Sequence, residues 1–236
     1  SLYYMNFSLF GTTMTMSWVF MVLCAFGFGL LSTFILILLT GRKPVSQSTL
    51  ILTGVVIGYL FSAVMSYLKY ATDEATLQDI TMWLLGGMWG ASWSAIIIVV
   101  PVAVIGILIT ESYAVDLNAL SSGDDVAKNL GVNVKALRVR ILLLSALITS
   151  VCMAFTGIIG FIGLMAPHIV RLLIGNDSRY LIPASAIMGS LILVASDALA
   201  RVIVAPNDLP VGIIMYVVGG MFFLFLIKRM RGGYEI

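Results

Sequence analysis

Charge is what this 236-residue chain has least of: Asp, Glu, Lys and Arg together make up 10% of it, against 61% hydrophobic residues. With a mean hydropathy of +1.10, that is not the profile of a soluble domain. Histidine occurs once, as His168, and cysteine twice, as Cys24 and Cys152. Both cysteines fall inside apolar runs with no metal-ligating partner or second thiol nearby in sequence, so they read as small hydrophobes. No Gly-x4-Gly-Lys-Ser/Thr phosphate loop is present. No basic segment precedes the first apolar run, which argues against a cleaved signal peptide. The chain opens on Ser1 rather than methionine, from which processing, tagging or a fragment is expected.

What is there instead is a succession of apolar runs of about 20 residues, the length an α-helix needs to cross a ~30 Å hydrocarbon core. The runs are continuous, whereas a membrane strand alternates apolar and polar residues, so the expected fold class is all-α, a polytopic membrane helix bundle. Spans are predicted at about 17 to 40, 49 to 70, 94 to 111, 139 to 159, 181 to 203 and 211 to 228, with a short one at about 160 to 174. This gives about six to seven crossings within a single transmembrane domain over residues 1–236. "ATDEATLQDITMWLLGGMWGAS" is too polar at its start and too glycine-broken at its end to cross, and reads as a re-entrant half-helix shielded by protein. Gly54 with Gly58 and Gly86 with Gly90 are small residues four apart, a spacing that permits close helix approach.

The basic residues set the expected orientation. Arg42, Lys43, Lys128, Lys135, Arg138, Arg140, Arg171, Arg179, Lys228, Arg229 and Arg231 fall on one side and only Lys69 and Arg201 on the other. The positive-inside rule then places the loop at 112–138 and the C-terminus in the cytoplasm, with Asp73, Glu74, Asp79 and Asp208 outside.

Within that loop, "SSGDDVAKNLGVNV" (residues 121–134) is soluble in character. Ser122 or Asp124 can cap a helix whose first turn is acidic, and Gly131 stands where a left-handed C-terminal residue belongs. Upstream, "ESYAVDLNAL" gives a second short helix, so two helices joined by a Ser-Ser-Gly corner are expected, with Leu117, Leu120, Val126 and Leu130 as apolar contacts. Pattern alone leaves two readings open: a loop packed on its own bundle, or a helix that docks into a groove of a cytoplasmic partner.

The ordered motifs "STLILTGVVIG", "LLGGMWGASW", "LNALSSGDDVAKNLGVNV", "GIIGFIGLMAPHIVRLLIGNDSRYLIPASAIMGSLILVASDALAR" and "NDLPVGIIMYVVGGMFFLFLIKR" cover nearly the whole chain. They resemble the permease subunit of the ABC importers of iron siderophores, haem and vitamin B12, the type II import fold. That family usually has ten spans, and about three N-terminal ones have no counterpart here, so a fragment, a truncated form or upstream spans supplied otherwise are expected.

The resemblance implies a homodimeric permease in the lipid bilayer of a prokaryotic inner membrane, with two cytoplasmic ATPase subunits and an extracytoplasmic substrate-binding protein. It implies no catalytic residue, no bound metal, no cofactor in this chain and no nucleic acid; ATP and Mg belong to the partner ATPase. The implied cargo is a metal chelate, first a ferric siderophore, then haem, cobalamin or a metal oxyanion, moved by alternating access. Residue by residue, it implies ATPase coupling by Leu117, Asn118, Leu120, Gly123, Asp124, Val126, Ala127, Leu130 and Gly131. It also implies a cytoplasmic gate at Gln47 and Ser48, after Pro44 and Ser46, and binding-protein docking by Arg201.

Each has a plainer reading. Ser48 is also a candidate N-cap of the next helix. Arg201 can pair with Asp197 at i and i+4 simply to neutralise charge. His168, after Pro167, lacks a carboxylate near it in sequence and reads as a hydrogen-bonded structural residue rather than a proton relay. Trp89 and Trp93 fit an interfacial aromatic belt, and Met14, Met16, Met82 and Met88 either line a path or pack. An ion-coupled secondary transporter would need intramembrane carboxylates, of which Asp197 is the only candidate; a non-transporting scaffold subunit is the other alternative.

Overall fold

The computed structural model describes residues 6–9, 12–40, 47–204 and 209–231. A short antiparallel hairpin of β1 (Asn6–Leu9) and β2 (Thr12–Thr15), with Asn6 opposite Thr15, precedes the helices. The rest of the regular structure is helical: α1 (Met16–Thr40), α2 (Gln47–Ala71), α3 (Glu74–Leu85), α4 (Trp93–Ser112), α5 (Ala114–Ser121), α6 (Asp124–Asn129), α7 (Val134–Thr156), α8 (Ile162–Ile174), α9 (Ser178–Ile203) and α10 (Val211–Arg231). Among the described residues five helices, α2, α4, α7, α9 and α10, are long and apolar enough to cross a membrane; the described part of α1 adds an apolar stretch at Leu23–Leu39, and α8 is short.

Helix starts depart most from the predicted spans where caps, not hydropathy, decide them. α7 begins at Val134 rather than near 139, because Asn133 Oδ1 accepts the Ala136 N–H at 3.0 Å and starts the helix before the apolar run. Lys135, Arg138 and Arg140 therefore ride on its first turns, and the predicted loop at 112–138 is helix at both ends. α9 likewise starts at Ser178, where Asp177 accepts the Arg179 N–H at 3.1 Å. α7 stops at Thr156 and α8 begins at Ile162, so the predicted spans 139–159 and 160–174 are separated by non-helical backbone at 157–161.

α3 is 12 residues long, about 18 Å at 1.5 Å per residue, so it is too short to cross, as expected of a half-helix, but none of its residues is buried and the expected shielding by protein is not seen. A 3-10 turn at Met88–Gly90 follows it.

The chain forms two compact units. One holds α1, α2, α6, α4 as far as Gly106, and α7 as far as Phe155. Its core is Ala95, Ala154 and Phe155, with Ala25, Val99 and Val151 against them. α1 meets α7 where Gly29 faces Ser150, close enough that a Cβ at Gly29 would run into the serine side chain. The Gly29 carbonyl also accepts the Ser32 and Thr33 hydroxyls at 2.8 and 3.2 Å.

The second unit comprises Met82–Gly90, Ile107–Asn118 and the chain from Thr156 onward. Met165, Ala200, Val211 and Met215 form its core, and Ser196 Oγ donates to Met215 Sδ at 3.2 Å. Beside that core the irregular backbone at Gly86–Gly87 bonds to the end of α7 and the start of α10. Gly87 N–H donates to the Thr156 carbonyl at 2.8 Å, and Gly212 N–H to the Gly86 carbonyl at 3.3 Å. Non-helical backbone in apolar surroundings must find such internal partners.

The approach is so close that a Cβ on Gly157 would strike the Trp83 carbonyl and one on Gly212 the Leu85 carbonyl. Phe161 closes the break with φ of 66°, the one left-handed non-glycine among the described residues, a strain of about 1 to 3 kcal/mol. Its ring is held edge-on to Tyr216, centroids 6.1 Å apart, and beside Phe223 at 6.0 Å.

Candidate functional site

The segment between α4 and α7 folds as the expected pair of short helices. α5 ends with Ser122 N–H donating to the Ala119 carbonyl and Gly123 N–H to the Leu120 carbonyl, at 3.2 and 3.1 Å. The corner is Ser121–Ser122–Gly123, but the cap of α6 is Gly123, not Ser122 or Asp124. Its φ of 116° is a conformation only glycine adopts without strain, and no side chain caps the helix. The Asp124 carboxylate is engaged elsewhere: Oδ1 accepts from an Arg138 guanidinium N–H at 2.7 Å, fixing α6 to the first turns of α7. Asp125 pairs with Lys128 at 3.0 Å on the exposed face.

The end of α6 is as predicted. Gly131, at φ 84°, donates its N–H to the Lys128 carbonyl at 2.9 Å, and Val132 reaches back to the Ala127 carbonyl at 3.0 Å. This paired pattern is the Schellman termination of a helix.

The apolar residues of the pair divide. Ala127 is fully buried, and Leu117 and Leu120 are half-buried, whereas Val115, Val126 and Leu130 are 64%, 45% and 67% exposed.

Asn118 belongs to the second unit and is bonded within it. Its Nδ2 donates to Asp177 Oδ1 at 2.8 Å and its Oδ1 accepts the Ser178 N–H, also at 2.8 Å. The Asn118 amide, then the Arg179 N–H and guanidinium, hold the Asp177 carboxyl below the usual carboxylate range.

Gln47 begins α2, which puts Ser48 inside the first turn rather than at the cap. Their side chains, with all of Pro44 and Ser46 and the side chains of Met14 and Met16, lie outside the described residues. Arg201 Nε donates to Asp197 Oδ2 at 2.8 Å, the expected pair along one helix, with the arginine the more exposed partner. His168 donates its Nδ1 hydrogen to the Leu164 carbonyl at 2.8 Å and sits edge-on to Phe223. Met88 packs against the second unit's core; Met82, Trp89 and Trp93 are exposed.

Sequence reasoning missed Asp177, Ser178 and Arg138 as partners of the short helices, and the strained Phe161. Asp-Ser at the head of an apolar run was a readable cap signal. The pairing with Asn118, 59 residues away, carries no local signature.

The description "FecCD transport family" matches residues 2–229 of this chain. A haemin transport system permease protein of Yersinia pestis is 40% identical over 186 residues, covering 77% of this chain and 54% of the relative. An iron(3+)-hydroxamate import system permease protein of Bacillus subtilis is 35% identical over 225 residues, 95% of this chain and 65% of the relative. An Fe(3+) dicitrate transport system permease protein of Escherichia coli is 36% identical over 209 residues, 89% of this chain and 65% of the relative. The chain thus spans between half and two thirds of the length of these relatives. Among solved structures, an inward-facing ABC transporter of metal-chelate type superposes with a TM-score of 0.77 at 28% identity, over 87% of this chain and 72% of that one.

Proposed function

Because the chain belongs to the FecCD transport family, we propose that it is the membrane-spanning subunit of an ATP-driven importer of a metal chelate. The cargo is in the first place a ferric siderophore, with haem, cobalamin or a metal oxyanion as the neighbouring chemistries. In this reading the subunit works as a homodimer on two ATPase subunits, receives cargo from a binding protein, and has its C-terminus in the cytoplasm. ATP and Mg act in the ATPase subunits.

The observation that carries the reading is the α5–α6 pair. In it the exposed Val126 and Leu130 of α6 are what a partner's groove would cover, and the Asp124–Arg138 ion pair and the Gly131 termination keep α6 rigid enough to transmit a push. Movement of that pair, driven by closure of the ATPases on ATP, would open and close the path, with Gln47 and Ser48 at its inner gate. Arg201 would meet the binding protein at the opposite side; its bond to Asp197 holds it ready and leaves that carboxylate neutralised rather than free to couple an ion.

The test is purification of the tagged chain from its native host in mild detergent, with mass spectrometry of what accompanies it. An ATPase subunit is expected with the parent chain, lost on deletion of Ser122–Gly131. It should also be lost in Val126→Asp with Leu130→Asp, which changes only exposed side chains and leaves the fold of α6 intact. Recovery of the chain without any ATPase would sink the reading; equal recovery of the ATPase with the double aspartate variant would remove the docking role from α6.

A further inference from the structure

Asn118 was grouped with the ATPase contacts, yet its side chain is spent inside the second unit, on the N-terminus of α9. We propose that Asn118 is a positioning residue that locks α5 to α9, so that displacement of α5 is delivered directly to that span. The proposal rests on the importer reading above.

The chemistry of the bond is specific. A carboxylate can only accept and a backbone N–H can only donate, so the amide can be placed in one orientation alone, Nδ2 on Asp177 and Oδ1 on Ser178. Both contacts fall on adjacent residues, and Asp177 is itself the cap of α9 through the Arg179 N–H. Two bonds to the same helix start fix rotation as well as distance, and one of them is strengthened by the carboxylate charge. Alanine at 118 would leave one of the first N–H groups of α9 without its partner. Aspartate would set two carboxylates against each other. α9 then runs 26 residues to Ile203 and carries Arg201 in its last turn, so α5 is tied by one side chain to the helix that would meet the binding protein. A lever of this kind needs no continuous path through the packing: one rigid helix held at its end suffices.

The experiment uses the full-length transporter with its ATPase and binding-protein subunits in proteoliposomes. It reads the stimulation of ATP hydrolysis by the binding protein, which requires no knowledge of the chelate. Asn118→Asp and Asn118→Ala are expected to lower that stimulation at least about fivefold while the ATPase subunit remains bound. Combining Asn118→Asp with Asp177→Asn returns one amide and one carboxylate to the pair. It is expected to restore stimulation to within about twofold, a coupling that the two single variants cannot show by addition. Should Asn118→Ala fail to accumulate, the comparison of Asn118→Asp with the exchanged pair decides alone. Unchanged stimulation in Asn118→Asp, or failure of the exchange to restore it, overturns the proposal. A parent chain that binds no ATPase subunit overturns the importer reading instead, before any variant is compared.

Discussion

α2 and α10 are both apolar enough to cross a membrane, but they live differently within their own units. Only 6% of the most apolar stretch of α2 is buried, against 28% of that of α10. On α2, Ile57 is buried and most of its other large side chains, from Ile51 to Tyr70, are open. On α10, Val211 and Met215 complete a core and Gly212 joins a backbone junction. Hydropathy measures what a helix tolerates around it, and lipid, a second chain and the protein's own interior all satisfy it equally. The difference shows α10 held by this chain's own contacts and α2 left to be covered by something else.

Substitutions can sharpen or break that contrast, each read as thermal unfolding of the chain in mild detergent. The largest effect is expected from Gly212→Ala. Its methyl would meet the Leu85 carbonyl, and backbone bonded on both sides cannot yield as a side chain can, so a loss above about 4 kcal/mol, or failure to accumulate folded protein, is expected. Met215→Ala comes next. Met215 is fully buried and receives the Ser196 hydroxyl, and removing it should cost about 2 to 5 kcal/mol. The smallest effect belongs to α2: Gly58→Ala has open space around it and should stabilise by up to about 1 kcal/mol through helix propensity. If Gly58→Ala destabilises as much as Met215→Ala, then α2 is packed and the contrast is wrong.

Much of this was legible in the residues. The all-helical class, the half-helix at α3, the two short helices around Ser121–Gly123 and the left-handed Gly131 follow from run length, turn residues and caps acting locally. The helix starts at Val134 and Ser178 were set too late in the chain, because charge was read as loop although Asn133 and Asp177 are sound caps. The spacing of Gly86 with Gly90, and of Gly54 with Gly58, was taken to permit close helix approach, whereas Gly86 serves an irregular junction and Gly54 and Gly58 meet nothing within their own unit. Spacing along a helix says which residues share a face, not what lies opposite. The same limit applies to Asn118: its type and place were recognisable, its partner at Asp177 was not, since only the fold brings the two together.

The junction of Gly86, Thr156 and Gly212 also dictates an order of events during synthesis. α3 leaves the ribosome long before α10, and the Gly86 carbonyl accepts the Gly212 N–H. Until α10 is in the bilayer, the carbonyl at the end of the half-helix therefore lacks this bond in apolar surroundings, a state costly enough to need shelter. The insertion machinery, or water drawn in around the unfinished bundle, must supply it.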